Sequence, residues 1–186
     1  MHTSQSPMFD DLEKILCDEA AIHARLDELA GQLADDYRDK PFTAVAVLHG
    51  SIIIAADLLR RIELPLKIDC IRVSSYHGGI ESSGKVDFHH QGMPDLDGEH
   101  VLLLDDILDT GRTLHAIRER ILAECNPASV RICVLLRKRK ERAREVDADY
   151  TAFDIDDEFV VGYGLDYEGK YRNLPCVGVL KPEVVQ

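Results

Sequence analysis

Positive charge is scarce in this sequence. Lysine and arginine number 22 against 34 acidic residues, a net charge of −12. That balance argues against general binding of nucleic acid or of an anionic membrane, and leaves room only for a local basic site. Long apolar runs are also missing. None approaches the roughly 18–20 residues that a membrane span needs. Met1 to Glu13 is polar and acidic, unlike a secretory leader. The five cysteines, Cys17, Cys70, Cys125, Cys133 and Cys176, are odd in number and scattered, with no C-x-x-C pair. Reduced cytoplasmic thiols, mostly serving as small buried hydrophobes, fit this better than disulfides or a zinc site. No internal repeat or low-complexity linker occurs. What is there is 186 residues, 45% hydrophobic and 30% charged. One globular domain (residues 1–186) with enough chain for a real core is expected.

Periodicity gives the organisation. Ile22, Leu26, Leu29, Leu33 and Tyr37 recur at spacings of three and four, predicting an amphipathic helix over about 19–39, stopped before Pro41. Thr43–Leu48 reads as a short apolar strand. His49-Gly50-Ser51 turns the chain into a second helix over 52–61. Lys67–Ser74, Val101–Leu104 and Ser129–Leu136 read as further strands, with a helix over 113–124. Shorter strands are expected near 150–153, 159–163 and 176–180. Strands alternating with helices predict an α/β fold with a parallel sheet and right-handed crossovers. Ligands in such sheets bind beyond the carboxyl ends of the strands. Residues 76–98 are glycine-rich and poor in apolar side chains, and a loop of that length in a compact domain is usually functional.

Val101 to Thr113 is the most informative segment. Four apolar residues form a buried strand, and Asp105 and Asp106 stand where it emerges. Asp109-Thr110-Gly111-Arg112-Thr113 then opens a helix. Carboxylates beside backbone amides at a helix N-terminus suit a ligand with both hydroxyls and a phosphate, such as a ribose 5-phosphate. Asp109 in this position is also an ordinary helix N-cap.

The segment resembles the phosphoribosyl pyrophosphate (PRPP) motif of type I phosphoribosyltransferases. Four others match in order: Val47-Leu48-His49-Gly50-Ser51; Ser74-Ser75-Tyr76; Leu135-Leu136-Arg137-Lys138; and Phe159 to Tyr167 continuing to Tyr171-Arg172-Asn173-Leu174-Pro175. Together they span about residues 45–182 and resemble the hypoxanthine–guanine phosphoribosyltransferase family. The resemblance implies a parallel sheet flanked by helices, with a small hood from the chain termini (about 1–18 and 150–186). It implies Mg²⁺-dependent transfer of 5-phosphoribosyl from PRPP to N9 of a 6-oxopurine, in a homodimer or homotetramer. A xanthine- or guanine-preferring sister enzyme and a non-catalytic, PRPP-sensing regulator of the same fold are the alternatives.

It also implies roles. Thr110, Gly111, Arg112 and Thr113 would hold the 5-phosphate, and Asp105 and Asp106 the ribose hydroxyls. A cis peptide between Leu48 and His49 would turn amides, with Gly50, towards pyrophosphate, which Arg172 would also contact. Lys138 would donate to purine O6, Phe159 would stack on the ring, and the Val160 backbone would meet the base edge. Asp109 would be the general base at N7. Asp166 would ligate Mg²⁺, with Asp105 and Asp106 near it and Asp166 also near the purine. Ser75 and Tyr76 would close a lid (about 76–98) over the reactants. The chain departs from the family twice: His49 stands where Lys or Arg is usual, and Asp105 where Glu is usual.

Three other signals are set aside. Gly79 to Val86 has the spacing G-x₄-G-K, but Val86 replaces the Ser or Thr that a nucleotide-bound metal needs. The basic run Arg137 to Arg144 is read as a solvated loop near an anionic substrate. His89-His90 is read as exposed loop.

Overall fold

The computed structural model describes residues 7–75, 86–88 and 92–185. Tyr76, residues 77–85 and His89-His90 lie outside the described residues, as does the Ser75 side chain. The lid and the G-x₄-G-K segment therefore fall largely outside them too.

A six-stranded sheet forms the body. Its strands are β2 (Phe42–Leu48), β3 (Lys67–Ser75), β4 (Val86–Phe88), β5 (His100–Leu108), β6 (Ser129–Lys138) and β7 (Tyr150–Ile155). Their order is β4-β3-β2-β5-β6-β7, parallel throughout except for β4, which runs antiparallel to β3 at the edge. The helices are α1 (Pro7–Asp10), α2 (Glu19–Asp36), α3 (Ile52–Leu59) and α4 (Arg112–Glu124).

Strand period and helix period meet in two cores. Along β5, Leu102 and Leu104 face one side, with Ala44 and Ala46 of β2 and Cys133 and Leu135 of β6. Val101 and Leu103 face the other, with Val45, Val47, Ile132 and Val134. The apolar stripe of α2 (Ile22, Leu26, Leu29, Leu33) and the inner face of α3 (Ile54, Leu58) close the first core. Leu114, Ile117 and Ile121 of α4 close the second. A strand buried on both faces reads as an unbroken apolar run, which is why Val101–Leu104 stood out. Asp18 caps α2 by accepting from the Ala21 amide at 2.8 Å.

A second, three-stranded sheet joins the two ends of the chain. β1 (Leu12–Cys17) pairs antiparallel with β9 (Val177–Leu180), and β9 with β8 (Val160–Val161). Leu12, Val161, Leu174, Cys176 and Leu180 make its small core. This is the expected hood, with one correction. β7 pairs in register with β6, so residues 150–155 belong to the main sheet.

Other boundaries also differ from expectation. α2 ends at Asp36, because Tyr37 is buried and stacks on Phe42 at 4.4 Å instead of extending the helix. β5 continues to Leu108 and β6 to Lys138, since the sheet carries them past the apolar run. The stretch expected to be loop through Gly98 contains β4, and its end is anchored by Leu96, buried in the α4 core.

β2 and β5 are neighbours, yet the chain leaves them in opposite directions: β2 through α3 to β3, β5 through α4 to β6. That reversal opens a crevice beyond their carboxyl ends, where α/β sheets bind ligands. The packing beneath it is testable. Leu26 is fully buried, so Leu26→Ala is expected to lower unfolding free energy by about 2–5 kcal/mol, measured by chemical denaturation.

Candidate functional site

The crevice is assembled by close backbone approach. The peptide Leu48–His49 is cis, and His49 and Gly50 form the turn that follows β2. A Cβ on Gly50 would lie 1.7 Å from Asp106 Oδ2, so only glycine lets that carboxylate settle over the turn. On the other side, a Cβ on Gly164 would lie 2.0 Å from the Gly50 carbonyl oxygen, and Gly164 holds φ +106°. Three distant segments therefore touch at one point: the end of β2, the end of β5 and the turn after β8.

Asp105 and Asp106 sit at this point. Asp105 is 7% exposed, and its Oδ1 accepts from the Asp106 amide at 3.0 Å. Burial, then the neighbouring Asp106 charge, pushes the Asp105 carboxyl well above the usual carboxylate range. Burial also raises Asp106, against the opposing influence of Asp105 hydrogen bonding and the Arg172 charge. Arg172 Nη1 donates to the Gly164 carbonyl at 2.6 Å, and Nη2 pairs with Asp166 Oδ1 at 2.6 Å. Asp166 Oδ2 accepts from the Gly169 amide at 2.7 Å. His49 is exposed beside them.

The Asp109–Thr113 turn follows the end of β5 and leads into α4. Gly111 takes φ +76° as the residue before α4, and a Cβ there would meet Val146 at 2.6 Å. The Thr110 carbonyl accepts from the Ala143 amide at 3.0 Å. Thr110 and Arg112 are exposed. The amides of the first turn of α4 have no acceptor within the helix, which makes this an anion-binding end.

Lys138, the last residue of β6, is buried, with its Nζ 3.6 Å from Asp109 Oδ2 and 3.0 Å from Asp157 Oδ1. Phe159 is 52% exposed and meets the Tyr167 ring edge-to-face at 5.8 Å. Val160 is buried, in register with Val179.

Most of the sequence-predicted residues thus converge. One expectation changes. Lys138 is part of the strand, not two residues beyond it. The expected sparse metal site, with Asp166 as ligand and Asp105 and Asp106 near it, stays an expectation: among the described residues no three His, Cys, Asp or Glu side chains converge to hold an ion. The basic run is also less open than expected. Arg137 pairs with Asp154, Arg139 with Asp156, and Arg142 with Asp147. Sequence reasoning missed Lys140 and Asp157, which join Asp109 and Lys138. Lys140 was hidden within the basic run, and nothing in the sequence marks Asp157. All five cysteines are free, and burial raises Cys133 to about 12 and Cys17 to about 11.

The aspartate pair has a stability consequence. A carboxyl raised in the folded state contributes stability that is complete below its unfolded pKa and is lost as pH rises through the folded value. At pH 7 Asp105 is therefore a cost, held in place by the fold. Asp105→Asn keeps the oxygen that accepts from Asp106. It is expected to raise the melting temperature of the ligand-free protein at pH 7 in EDTA by about 2–4 °C. The gain should disappear near pH 4, where ordinary carboxylates protonate; scanning calorimetry at both pH values checks this.

Comparison with known proteins agrees with the geometry. The model of the phosphoribosyl transferase domain matches residues 14–168. A hypoxanthine-guanine phosphoribosyltransferase of Streptococcus pneumoniae is 45% identical over 175 residues, covering 94% of this chain and 97% of that protein. One from Staphylococcus aureus is 45% identical over 177 residues, covering 95% and 98%. A crystal structure of a Staphylococcus aureus hypoxanthine phosphoribosyltransferase superposes with a TM-score of 0.92 at 43% identity, covering 98% of this chain and 99% of that one. The Trypanosoma cruzi hypoxanthine phosphoribosyl transferase, studied for the role of its C-terminal region in oligomeric state and activity, gives a TM-score of 0.88 at 39% identity, with 95% of each chain covered. With a matching domain model over most of its length and such relatives end to end, the chain belongs to the phosphoribosyltransferase family.

Proposed function

We propose that this chain is a purine salvage enzyme that transfers 5-phosphoribosyl from PRPP to N9 of hypoxanthine, and of guanine, releasing pyrophosphate. The observation that carries the choice of base is the pairing of Asp109 and Lys138. A 6-oxopurine protonated at N7 presents an acceptor, O6, next to a donor, N7–H. A carboxylate 3.6 Å from an ammonium is the complement of that edge. Adenine carries an amino group at position 6, which would set two donors against each other, and a mismatched buried polar pair is strongly rejected.

In this reading the first turn of α4 and the Thr110 and Thr113 hydroxyls bind the 5-phosphate, with Arg112 at its edge. Asp105 and Asp106 accept from the ribose hydroxyls. The amides of the Leu48–Gly50 turn and Arg172 receive pyrophosphate. Phe159 covers the base, and the Val160 backbone meets its edge. N9 bonds to C1 of the ribose as the bond from C1 to pyrophosphate breaks, and pyrophosphate leaves with the bonding electrons. The N7 proton passes to Asp109.

The donor set fits Mg²⁺ held by few protein groups. Asp166 offers hard carboxylate oxygens beside Arg172, and substrate oxygens and water complete such a shell. When bound, Mg²⁺ would offset charge on the leaving pyrophosphate. Ser75 and Tyr76 would exclude water as lid residues. Cytoplasmic location and assembly as a homodimer or homotetramer belong to the same proposal. No described helix is long and apolar enough to cross a membrane.

The test is product formation from PRPP and Mg²⁺ with hypoxanthine, guanine, xanthine and adenine offered separately. Turnover is expected with the first two and little with adenine. Asp109→Asn should lose roughly 10²–10⁴-fold in kcat. Turnover with xanthine above hypoxanthine would move the assignment to a sister enzyme. PRPP binding without any turnover would indicate a regulator. A second prediction concerns the family departure at the pyrophosphate turn. His49→Lys restores a permanent cation at an exposed position, where such a charge contributes about 0.2–1 kcal/mol. PRPP is expected to bind about two- to fivefold more tightly to this variant at pH 8, measured by calorimetric titration.

A further inference from the structure

Four side chains beside the proposed general base form a closed ring of alternating charge. Lys140 Nζ lies 2.5 Å from Asp109 Oδ1 and 3.0 Å from Asp157 Oδ1. Lys138 Nζ lies 3.0 Å from Asp157 Oδ1 and 3.6 Å from Asp109 Oδ2. Each carboxylate is bridged by both ammonium groups. The members come from separate places: Asp109 from the turn after β5, Lys138 from the end of β6, Lys140 from the loop that follows, and Asp157 from the turn between β7 and β8. Among the described residues, the charged groups paired with Asp109 are Lys138 and Lys140, and those paired with Lys140 are Asp109 and Asp157.

We propose that Lys140 and Asp157 are positioning residues that tune Asp109 as a base in opposite directions, Lys140 weakening it and Asp157 strengthening it. This rests on the reading of Asp109 as the acceptor of the purine N7 proton.

The ring carries two positive and two negative charges before reaction. When Asp109 accepts the N7 proton, its negative charge is lost. Both lysines then face a single carboxylate, and an uncompensated cation lies beside the purine as the N7–H electrons move into the ring and N9 bonds to C1. The cation freed at Asp109 does not have to travel. Asp157 is already within 3.0 Å of Lys140, so the Asp109 contact can open while the ammonium stays paired. The mutual influence is visible in the pairs themselves. Lys138 and then Lys140 hold Asp157 below the usual carboxylate range, and Asp109, ahead of Asp157, holds Lys140 above the ordinary ammonium value. Asp157 also gives Lys138 a partner outside the proton transfer, holding its ammonium in place for purine O6.

The test is the pH profile of kcat, with PRPP and hypoxanthine saturating, for the wild type, Lys140→Met, Lys140→Arg and Asp157→Asn. Removing a cation beside a carboxylate makes it easier to protonate, and removing an anion makes it harder. Asp109 is 40% exposed, so solvent trims the shift to about one pH unit, the low end for a charge this close. The acidic limb is expected to move up by about one unit in Lys140→Met, down in Asp157→Asn, and back to the wild-type position in Lys140→Arg. KM for PRPP should change less than twofold.

Lower rates with unmoved limbs would make both residues structural and overturn the proposal, as would limbs that move in the same direction. The base assignment fails separately: it falls only if Asp109→Asn keeps the wild-type rate. Where Asp109→Asn is inactive and the limbs are unmoved, only the tuning role is lost. If Lys140→Met does not fold, Asp157→Asn still reads the sign of the shift, and an upward or absent shift there overturns the proposal.

Discussion

The close approach at Gly50 is the constraint on which the rest of the site depends. Asp106 from β5 lies over this residue, and the backbone of Gly164 lies against its carbonyl oxygen. Asp106 fills the space where any other residue at position 50 would place its Cβ, and the Gly50 carbonyl oxygen fills that of a Cβ at position 164. Gly50 and Gly164 bring the main sheet and the turn after β8 together backbone to backbone. Arg172 extends the junction, donating to Gly164 and pairing with Asp166. A displacement of the hood would therefore move the Leu48–Gly50 turn and the aspartate pair together. That coupling ties a small sheet built from both chain ends to the carboxyl ends of β2 and β5.

The electrostatics on the two sides of the crevice are opposite in character. At Asp105 and Asp106, two adjacent carboxylates are driven up by burial, a costly arrangement in the ligand-free fold. Around Asp109, carboxylates and lysines alternate and offset one another. On the proposed function, carboxyl groups held at a burial cost would be repaid by the hydroxyl donors of a sugar. A neutral but polarised ring suits a base that must surrender a proton and then carry the electrons left behind. Both environments lie within one crevice because β5 supplies Asp105, Asp106 and, after its last residue, Asp109.

Legibility followed distance along the chain. The parallel strands and three main helices are visible in the sequence because their cores impose a period on local residues. The turn after β5 is visible because aspartates, a glycine and a helix start fall within a few positions. β1 was not, since its residues Glu13 and Lys14 mask a strand whose partner, β9, is some 160 residues away along the chain. The extension of β6 to Lys138 was missed because charged residues end an apolar run but do not end a hydrogen-bonded ladder. The roles of Leu48–Gly50 and Arg172 came from family resemblance rather than from pattern, and the cis peptide the resemblance implied is present. Lys140 and Asp157 become visible only in three dimensions. A lysine in a basic run has no distinguishing mark until its partner is known.

That point resolves the apparent conflict between a chain of net charge −12 and a substrate with several phosphates. The basic run from Arg137 to Arg144 is not a free cationic surface: Asp147, Asp154, Asp156 and Asp157 take up much of its charge. Long-range attraction of a polyanion is therefore weak, and on the proposed function capture would fall to short-range donors: backbone amides at the start of α4, the Leu48–Gly50 turn and Arg172. Such donors act over one hydrogen-bond length and lose little to salt, whereas attraction between exposed charges fades beyond roughly 8–10 Å. A site built this way selects by fit, not by charge. It can be acidic overall and still hold a pyrophosphate, because the few cations it needs are fixed in place by the carboxylates around them.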